Sequence, residues 1–335
     1  MKQIRLYSGL LLSLSLVFAS CSSSSDDSGN PPTDDDNPPV GITLPTVQGF
    51  NNLREAALED HIQTFNVDVG SSGTVEFTSD KETTFMVLST NVRLNSDSFT
   101  GEAEIEFVEL YDRTDMVLTG FDTMGEIESE SLEMLTSGGV FNLKMYSKET
   151  EEPLTLNAAY TMTVPSSITG EEIQDNMKLW YGNYDNNGNL VWNNEEEQSG
   201  NIVPNTINNK YSIIGVKEFG WTSIGKIYAA AGQKTTFKAN VPTGYNAENS
   251  AVYLSFEGEN SALARLSMFE NKTFSQTLIP VGKNCQVIFV SESEGKWVYA
   301  IKSATIAANG SVTFETSDLK TATQAELVTK LNELP

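Results

Sequence analysis

The sequence predicts an all-β protein of tandem β-sandwich modules, of which the C-terminal one is immunoglobulin-like and carries a short C-terminal helix. From Phe65 onward, short runs of alternating apolar and polar residues follow one another, separated by Gly, Asn, Asp and Pro. Such alternation is typical of antiparallel strands that bury one face. The runs continue almost to the end of the 335-residue chain, which is long enough for more than one hydrophobic core.

Residues 1–20 have the features of a secretory signal peptide. Lys2 and Arg5 give a positive start, and an apolar run extends from Gly9 to Ala19. A helix that crosses a bilayer needs about 20 apolar residues, so this run is too short for a permanent span. We therefore expect the segment to direct export and then to be removed.

The apolar run ends in Phe18-Ala19-Ser20-Cys21, which resembles the bacterial lipobox. This resemblance implies that Cys21 receives a lipid and that the lipid attaches the protein to a membrane. The expected location is the outer membrane, with the folded part facing either the periplasm or the cell surface. Ordinary cleavage next to an incidental cysteine is the alternative.

Residues 21–48 are predicted to form a disordered acidic tether. The segment SSSSDDSGNPPTDDDNPPVG contains no aromatic and no basic residue, and such a composition buries too little apolar surface to fold. Its serine run followed by aspartates is similar to the surface-export signal of Bacteroidota lipoproteins. A plain solubilising spacer explains the composition equally well.

The charge and the rare residue types exclude several function classes. The chain has 21 Lys and Arg residues against 45 Asp and Glu residues, a formal net charge of -24, which repels nucleic acids. With Cys21 lipidated, Cys285 has no disulfide partner, and it stands in an apolar run typical of a buried strand. The chain has a single histidine, His61, which argues against a zinc site and against a histidine-dependent catalytic triad.

The folded part is predicted to contain three units. Residues 49–168 form a first β-sandwich, because runs such as GEAEIEFVELY place Ala103 and Phe107 on one face. Residues 169–233 form a small aromatic-rich β unit. Residues 234–335 form a second sandwich, since short apolar runs recur there about every ten residues.

The end of the sequence predicts a helix. Thr323 and Glu326 have the spacing of a capping box. An apolar stripe follows at helical spacing, formed by Leu327, Val328, Leu331 and Leu334. We expect this helix to pack on the C-terminal sandwich.

Four longer segments carry a resemblance to known proteins: TGEAEIEFVELYDRTDMVLTGFDTM, LTSGGVFNLKMYS, FGWTSIGK and IPVGKNCQVIFVSESEGKWVYAIKSATI. They resemble uncharacterised multi-domain cell-envelope lipoproteins of Bacteroidota, and the first β unit is similar to ZU5-type domains. The resemblance implies an envelope protein of all-β modules and assigns no catalytic residue.

The loop around Gly188 has two interpretations. Asp185, Asn187, Asn189 and Glu196 place side-chain oxygens at the spacing of a calcium-binding loop. Asn187-Gly188 is also a strong type I′ hairpin pair, and it stands between two aromatic runs. Calcium is therefore the cofactor considered, and a hairpin without metal is the alternative.

Four aromatic residues near this loop are candidates for sugar binding. Trp180, Tyr181, Tyr184 and Trp192 have the flat faces on which sugar rings stack. The alternative is that they fill the core of a small unit with few aliphatic residues.

Two further patterns concern glycans. Asp122-Thr123-Met124 matches a short acceptor pattern for O-glycosylation in Bacteroidota, with Thr123 as the acceptor. Glutamates are concentrated between residues 126 and 133, as a glycosidase with paired carboxylates requires. A solvated acidic loop has the same composition.

These observations predict a membrane-anchored envelope lipoprotein without catalytic activity, whose modules bind or scaffold an extracellular protein or a glycan. A glycan-acting enzyme that uses acidic residues is the alternative.

Overall fold

Antiparallel strands dominate the computed structural model, which confirms the all-β prediction. The structure describes residues 41–128, 131–166, 173–184, 190–194, 200–228 and 232–335. These residues belong to one compact unit. Within it the chain forms an N-terminal and a C-terminal β-sandwich.

The N-terminal sandwich is built from two large sheets and one small one. Its strands are β1 (Gln63–Val69), β2 (Thr74–Thr78), β3 (Thr84–Leu88), β4 (Val92–Leu94), β5 (Asp97–Ser98), β6 (Gly101–Leu110), β7 (Met124–Glu128), β8 (Ser131–Ser147), β9 (Thr155–Leu156), β10 (Tyr160–Pro165), β11 (Lys178–Tyr184), β12 (Leu190–Asn193), β13 (Asn201–Asn205), β14 (Lys210–Val216) and β15 (Gly220–Ile227). The seven-stranded sheet has the order β1-β6-β8-β15-β11-β12-β7, and the five-stranded sheet has the order β13-β14-β10-β3-β2. The small sheet has the order β5-β4-β9.

The separate aromatic unit predicted for residues 169–233 does not exist as such. β11, β12 and β15 lie inside the seven-stranded sheet, and β13 and β14 lie in the five-stranded sheet. The register shows the connection directly, because Trp221 of β15 pairs with Asn142 of β8 and Tyr211 of β14 pairs with Val164 of β10. The strands of residues 178–227 therefore complete the first sandwich.

The residues of β6 that alternation assigns to the core face are buried, as predicted. Phe107 is buried in the core of the N-terminal sandwich. Glu109 is buried on the same face, where its carboxylate accepts hydrogen bonds from Gln63 Nε2 and the Tyr111 hydroxyl, each 3.0 Å long. Val108, which alternation assigns to the solvent face, is buried as well, because further elements cover that face of the sheet.

The C-terminal sandwich follows the predicted succession of short strands. Its strands are β16 (Lys234–Asn240), β17 (Ser250–Phe256), β18 (Leu263–Arg265), β19 (Met268–Glu270), β20 (Thr273–Pro280), β21 (Asn284–Ser293), β22 (Lys296–Thr305), β23 (Ser311–Thr313) and β24 (Lys320–Ala322). They form a four-stranded sheet, β19-β20-β16-β23, and a five-stranded sheet, β18-β17-β21-β22-β24. Cys285 is a free, fully buried core residue, as predicted, and burial raises the pKa of its thiol to about 12.

Helices cover the sheet faces where the two sandwiches meet. They are α1 (Val47–Glu59), α2 (Arg113–Thr119) and α3 (Gln324–Asn332). The chain is already ordered before α1, since Ile42 is buried and the Thr43 amide donates a 2.9 Å hydrogen bond to Ser293 Oγ. Thr46 Oγ1 then accepts from the Gly49 amide and caps α1. Residues 41–48, which the prediction assigned to the tether, therefore belong to the folded part.

The C-terminal helix α3 is confirmed together with its cap. The Thr323 amide donates a 2.8 Å hydrogen bond to Glu326 Oε2, and the Glu326 amide donates back to Thr323 Oγ1. Leu327 and Leu331 are buried. The helix contacts β22 and β24 of its own sandwich, and it also contacts α2, which the sequence did not predict.

A shared hydrophobic core lies between the two sandwiches. Its buried members include Phe50 of α1, Trp192 and Trp221 of the seven-stranded sheet, and Tyr253 and Trp297 of the C-terminal sandwich. Burying large aromatic side chains in this way contributes roughly 1.5 to 3 kcal/mol each. The two sandwiches therefore share a buried core and belong to one compact unit.

Candidate ligand-binding cleft

The residues predicted to bind calcium lie outside the described residues. Asp185, Asn187, Asn189 and Glu196 all fall in gaps, so the calcium site stays a prediction. The strands on either side, β11 and β12, are antiparallel neighbours, as a hairpin requires, but Tyr184 pairs with Leu190, whereas a two-residue type I′ turn at Asn187-Gly188 would place Tyr184 opposite Val191. Within the described ranges, no cluster of His, Cys, Asp or Glu side chains suits a metal ion.

The two tryptophans of the predicted stacking platform are core residues. Trp180 and Trp192 are 3% and 1% exposed. Their indole Nε1 atoms donate 2.9 Å hydrogen bonds to the backbone carbonyls of Gly225 and Asp122. Because both rings are enclosed and both polar atoms are satisfied, neither tryptophan can stack on a ligand. The four-residue platform is therefore wrong, and the core interpretation is right for these two.

The two tyrosines of the same set have different positions. The Tyr181 hydroxyl accepts a 3.1 Å hydrogen bond from the Gly200 amide. Burial, followed by the nearby Glu218 carboxylate, raises the pKa of this phenol. Tyr184 is 64% exposed, at the end of β11. Tyr184 is thus the one member of the predicted platform that offers an open ring face.

Thr123 does not present an acceptor for a glycan in the folded chain. It is 2% exposed, and its Oγ1 accepts a 2.9 Å hydrogen bond from the Leu263 amide. The same oxygen lies 3.2 Å from the Leu263 carbonyl, to which it donates. A glycan on this atom is incompatible with the packing of the two sandwiches, so the folded structure contradicts this modification site.

A cleft of about 710 Å³ opens beside Tyr184. Its described walls come from the end of α1, from β8, from residues 153–156, from the end of β11, and from residues 217–221 that lead into β15. The volume is in the range of cavities that hold small organic ligands.

Aromatic side chains supply much of the cleft wall. Besides Tyr184, the lining includes Tyr146, Phe219 and Trp221. Trp221 is 8% exposed and packs against Phe121 at a ring-centroid distance of 4.4 Å. None of the described residues accepts a hydrogen bond from its indole nitrogen, in contrast to the two buried tryptophans of the same sheet. Flat apolar surfaces with one unused donor suit a ligand that has both apolar faces and polar groups.

Asn142 is the most informative residue of the cleft. It lies on β8, opposite Trp221, and it lines the cleft although it is only 7% exposed. Its Oδ1 is shielded from solvent and has no hydrogen-bond partner in the described part of the chain. An unpaired buried amide costs about 1 to 3 kcal/mol. Asn142 therefore lowers the stability of the fold at a position that lines the cleft.

The rim of the cleft carries charged residues and an open backbone position. Lys144, Lys217 and Glu218 contribute to the lining. Gly220 has a φ of +140°, and no atom lies within 4 Å of the place where a Cβ would stand. Glycine at such a position lets a ligand approach the backbone closely.

The other chemical groups singled out in the sequence lie elsewhere. His61 Nε2 is 3.5 Å from Asp115 Oδ1, and neither residue lines the cleft. Glu133, from the glutamate-rich segment, forms a 2.5 Å ion pair with Lys234. Sequence reasoning missed Asn142, because an asparagine in a strand gives no local sign that it will be buried without a partner.

No protein-family model, no curated protein and no solved structure matches this chain. In the described part of the chain, no helix combines the length and the apolar character needed to span a membrane. The cleft is therefore interpreted from its own geometry.

Proposed function

We propose that this protein is a lipid-anchored envelope lipoprotein without catalytic activity, and that its cleft binds a glycan. The unpaired Oδ1 of Asn142, beside an aromatic-lined cleft, is the observation that supports the proposal. Sugar rings combine apolar C–H faces, which pack on aromatic rings, with hydroxyl groups, which pair with amides. The anchor is inferred from the signal-like segment and Cys21.

A glycan fits the cleft better than an extended peptide does. Peptides are commonly bound by adding a strand to an open sheet edge. β8 lies between β6 and β15, and β15 lies between β8 and β11, so both strands are already paired on each side. The main strands of the cleft thus have no free edge, and recognition depends on side chains.

Binding is favoured over the alternative of a glycan-acting enzyme. Hydrolysis of a glycosidic bond usually needs two carboxyl groups placed across the bond. Among the described residues of the lining, Glu218 is the carboxylate. The glutamate-rich segment pairs instead with the C-terminal sandwich through Glu133 and Lys234.

The binding proposal is tested by calorimetric titration of the protein with a panel of neutral and acidic oligosaccharides. Replacing the exposed Tyr184→Ala removes a stacking surface and should weaken binding about 3- to 10-fold, with little effect on folding. Met268→Ala, a change at a similarly exposed residue of the C-terminal sandwich, is the control. Failure of every oligosaccharide to bind, or equal affinity in the Tyr184 variant, would overturn the proposal.

The anchor is tested separately. Cys21→Ala should abolish incorporation of labelled palmitate and release the protein into the soluble fraction, because two or three acyl chains are what holds a lipoprotein stably on a membrane. A variant that stays membrane-bound and labelled would show that Cys21 is not the attachment site.

A further inference from the structure

We propose that the glycan bound in the cleft is acidic, and that Lys144 and Lys217 recognise its carboxylate groups. This inference rests on the proposed function, since it names the ligand class for the same cleft. The observation that supports the inference is that two lysine side chains line one aromatic cleft, although the chain as a whole is strongly acidic.

Lys217 is available to a ligand. It is exposed, it lines the cleft just before β15, and it forms no ion pair with any described residue. A lysine ammonium has three donors and no acceptor. A carboxylate on a sugar ring that stacks in the cleft would therefore find an unused partner there.

Lys144, on β8, offers a second cation at the cleft. Its Nζ is 3.9 Å from Glu106 Oε2, at the outer limit of an ion pair, and its side chain is 50% exposed. The strand register brings the two lysines near one another, because Leu143 of β8 pairs with Gly220, only three positions after Lys217. Both ammonium groups can thus serve one oligosaccharide.

The balance of charge at the cleft differs from that of the chain. The whole sequence has 21 basic against 45 acidic residues, whereas Lys144, Lys217 and Glu218 line the cleft and Glu106 lies 3.9 Å from Lys144. The Debye length is about 8 Å at physiological ionic strength, so distant carboxylates are screened while groups in contact are not. Charge at the cleft is therefore balanced, whereas the chain as a whole is acidic, so an anionic sugar is disfavoured less at the cleft than over the average of the surface.

The test uses matched pairs of ligands that differ in charge alone. Oligogalacturonate and glucuronate-containing oligosaccharides are titrated as free acids and as their methyl esters, against the parent and the double variant Lys144→Gln, Lys217→Gln. We expect the free acids to bind at least fivefold more tightly than the esters in the parent. In the double variant this preference should disappear, because the acids lose more affinity than the esters do. Thermal unfolding checks that the variant is folded.

The possible results separate this inference from the proposed function. Equal affinity for acids and esters, or a preference that persists without the lysines, overturns the acidic ligand and leaves a neutral glycan-binding cleft. Loss of binding to both forms in the Tyr184→Ala variant, with the acid preference intact in the parent, supports both. Absence of binding by every oligosaccharide overturns both together.

Discussion

Arg54 donates a 2.7 Å hydrogen bond from Nη2 to the backbone carbonyl of Gly120, and this contact joins α1 to the end of α2. Gly120 ends α2 in the left-handed conformation, with φ of +82°. A Cβ at this position would lie 1.5 Å from Arg54 Nη2. The glycine is therefore needed both for its backbone conformation and for the room it leaves to the guanidinium.

The first prediction follows from this contact. Gly120→Ala should lower the free energy of unfolding by about 2 to 4 kcal/mol, because left-handed backbone costs about 1 to 2 kcal/mol and the partly buried Arg54 must also move. Gly258→Ala is the matched control, since its φ is +79° and nothing lies within 4 Å of the added Cβ. Urea unfolding measures both. Equal losses in the two variants would show that Arg54 moves aside without cost.

The second prediction concerns Asp122, which is buried between the sandwiches. Burial raises the pKa of its carboxyl to about 6, although Arg265, the hydrogen bond from the Met124 amide, and Arg54 act in the opposite direction. Because the folded-state pKa is above the unfolded one, the folded protein binds the extra proton, and stability is lost as the pH rises through about 4 to 6. Ionised Asp122 thus destabilises the fold at neutral pH.

Asp122→Asn should consequently be more stable than the parent by about 2 to 3 kcal/mol at pH 7.5, and equally stable near pH 4. The Asn side chain keeps an oxygen for the Met124 amide. Urea unfolding of both proteins at several pH values gives the difference directly and cancels the titration of all other groups. A less stable variant at pH 7.5 would mean that attraction by the two arginines outweighs the desolvation of the carboxylate.

The third prediction concerns the docking of α3. Leu331 is 1% exposed, so Leu331→Ala should cost about 2 to 5 kcal/mol through lost burial and the cavity left behind. Thr329→Ala, on the exposed side of the same helix, should cost less than about 1 kcal/mol. Thermal unfolding compares the two. Equal midpoints would mean that the helix frays from the sandwich before the rest of the protein unfolds.

Local sequence signals were sufficient for features that depend on near neighbours. The capping box at Thr323 and Glu326 and the apolar stripe of α3 involve contacts within a few residues, and both are confirmed. The short strands of the C-terminal sandwich were recognisable for the same reason. Alternation within a strand identifies its buried face without knowledge of its partner.

Features that depend on distant pairing were not predictable. Whether β15 belongs to a separate unit or pairs with β8 is decided by contacts between residues about eighty positions apart, such as Trp221 and Asn142. The same pairing decides which aromatic residues face solvent. The sequence pattern of Trp180 and Trp192 is typical of a binding platform, but both side chains are buried in the core. Tyr184, in contrast, lines the cleft. No local pattern separates these outcomes, because all three are aromatic residues in adjacent strands.

The last prediction is that one substitution at Asn142 changes stability and glycan binding in opposite directions. Asn142→Leu keeps the number and branching of the side-chain heavy atoms and removes a buried oxygen that has no hydrogen-bond partner among the described residues. Removing such a group should raise the free energy of unfolding by about 1 kcal/mol, because the desolvation penalty disappears. If the amide pairs with a sugar hydroxyl, the same change should weaken glycan binding about tenfold, since the ligand group is then left unpaired.

Ser261→Ala is the matched control for this pair of effects. Ser261 Oγ is also buried without a partner in the described residues, and Ser261 does not line the cleft. This variant should gain a similar amount of stability and bind the glycan like the parent. Urea unfolding and calorimetric titration are measured on all three proteins. An Asn142→Leu variant that loses stability would show that the amide is satisfied within the fold, and one that binds the glycan unchanged would remove Asn142 from the site.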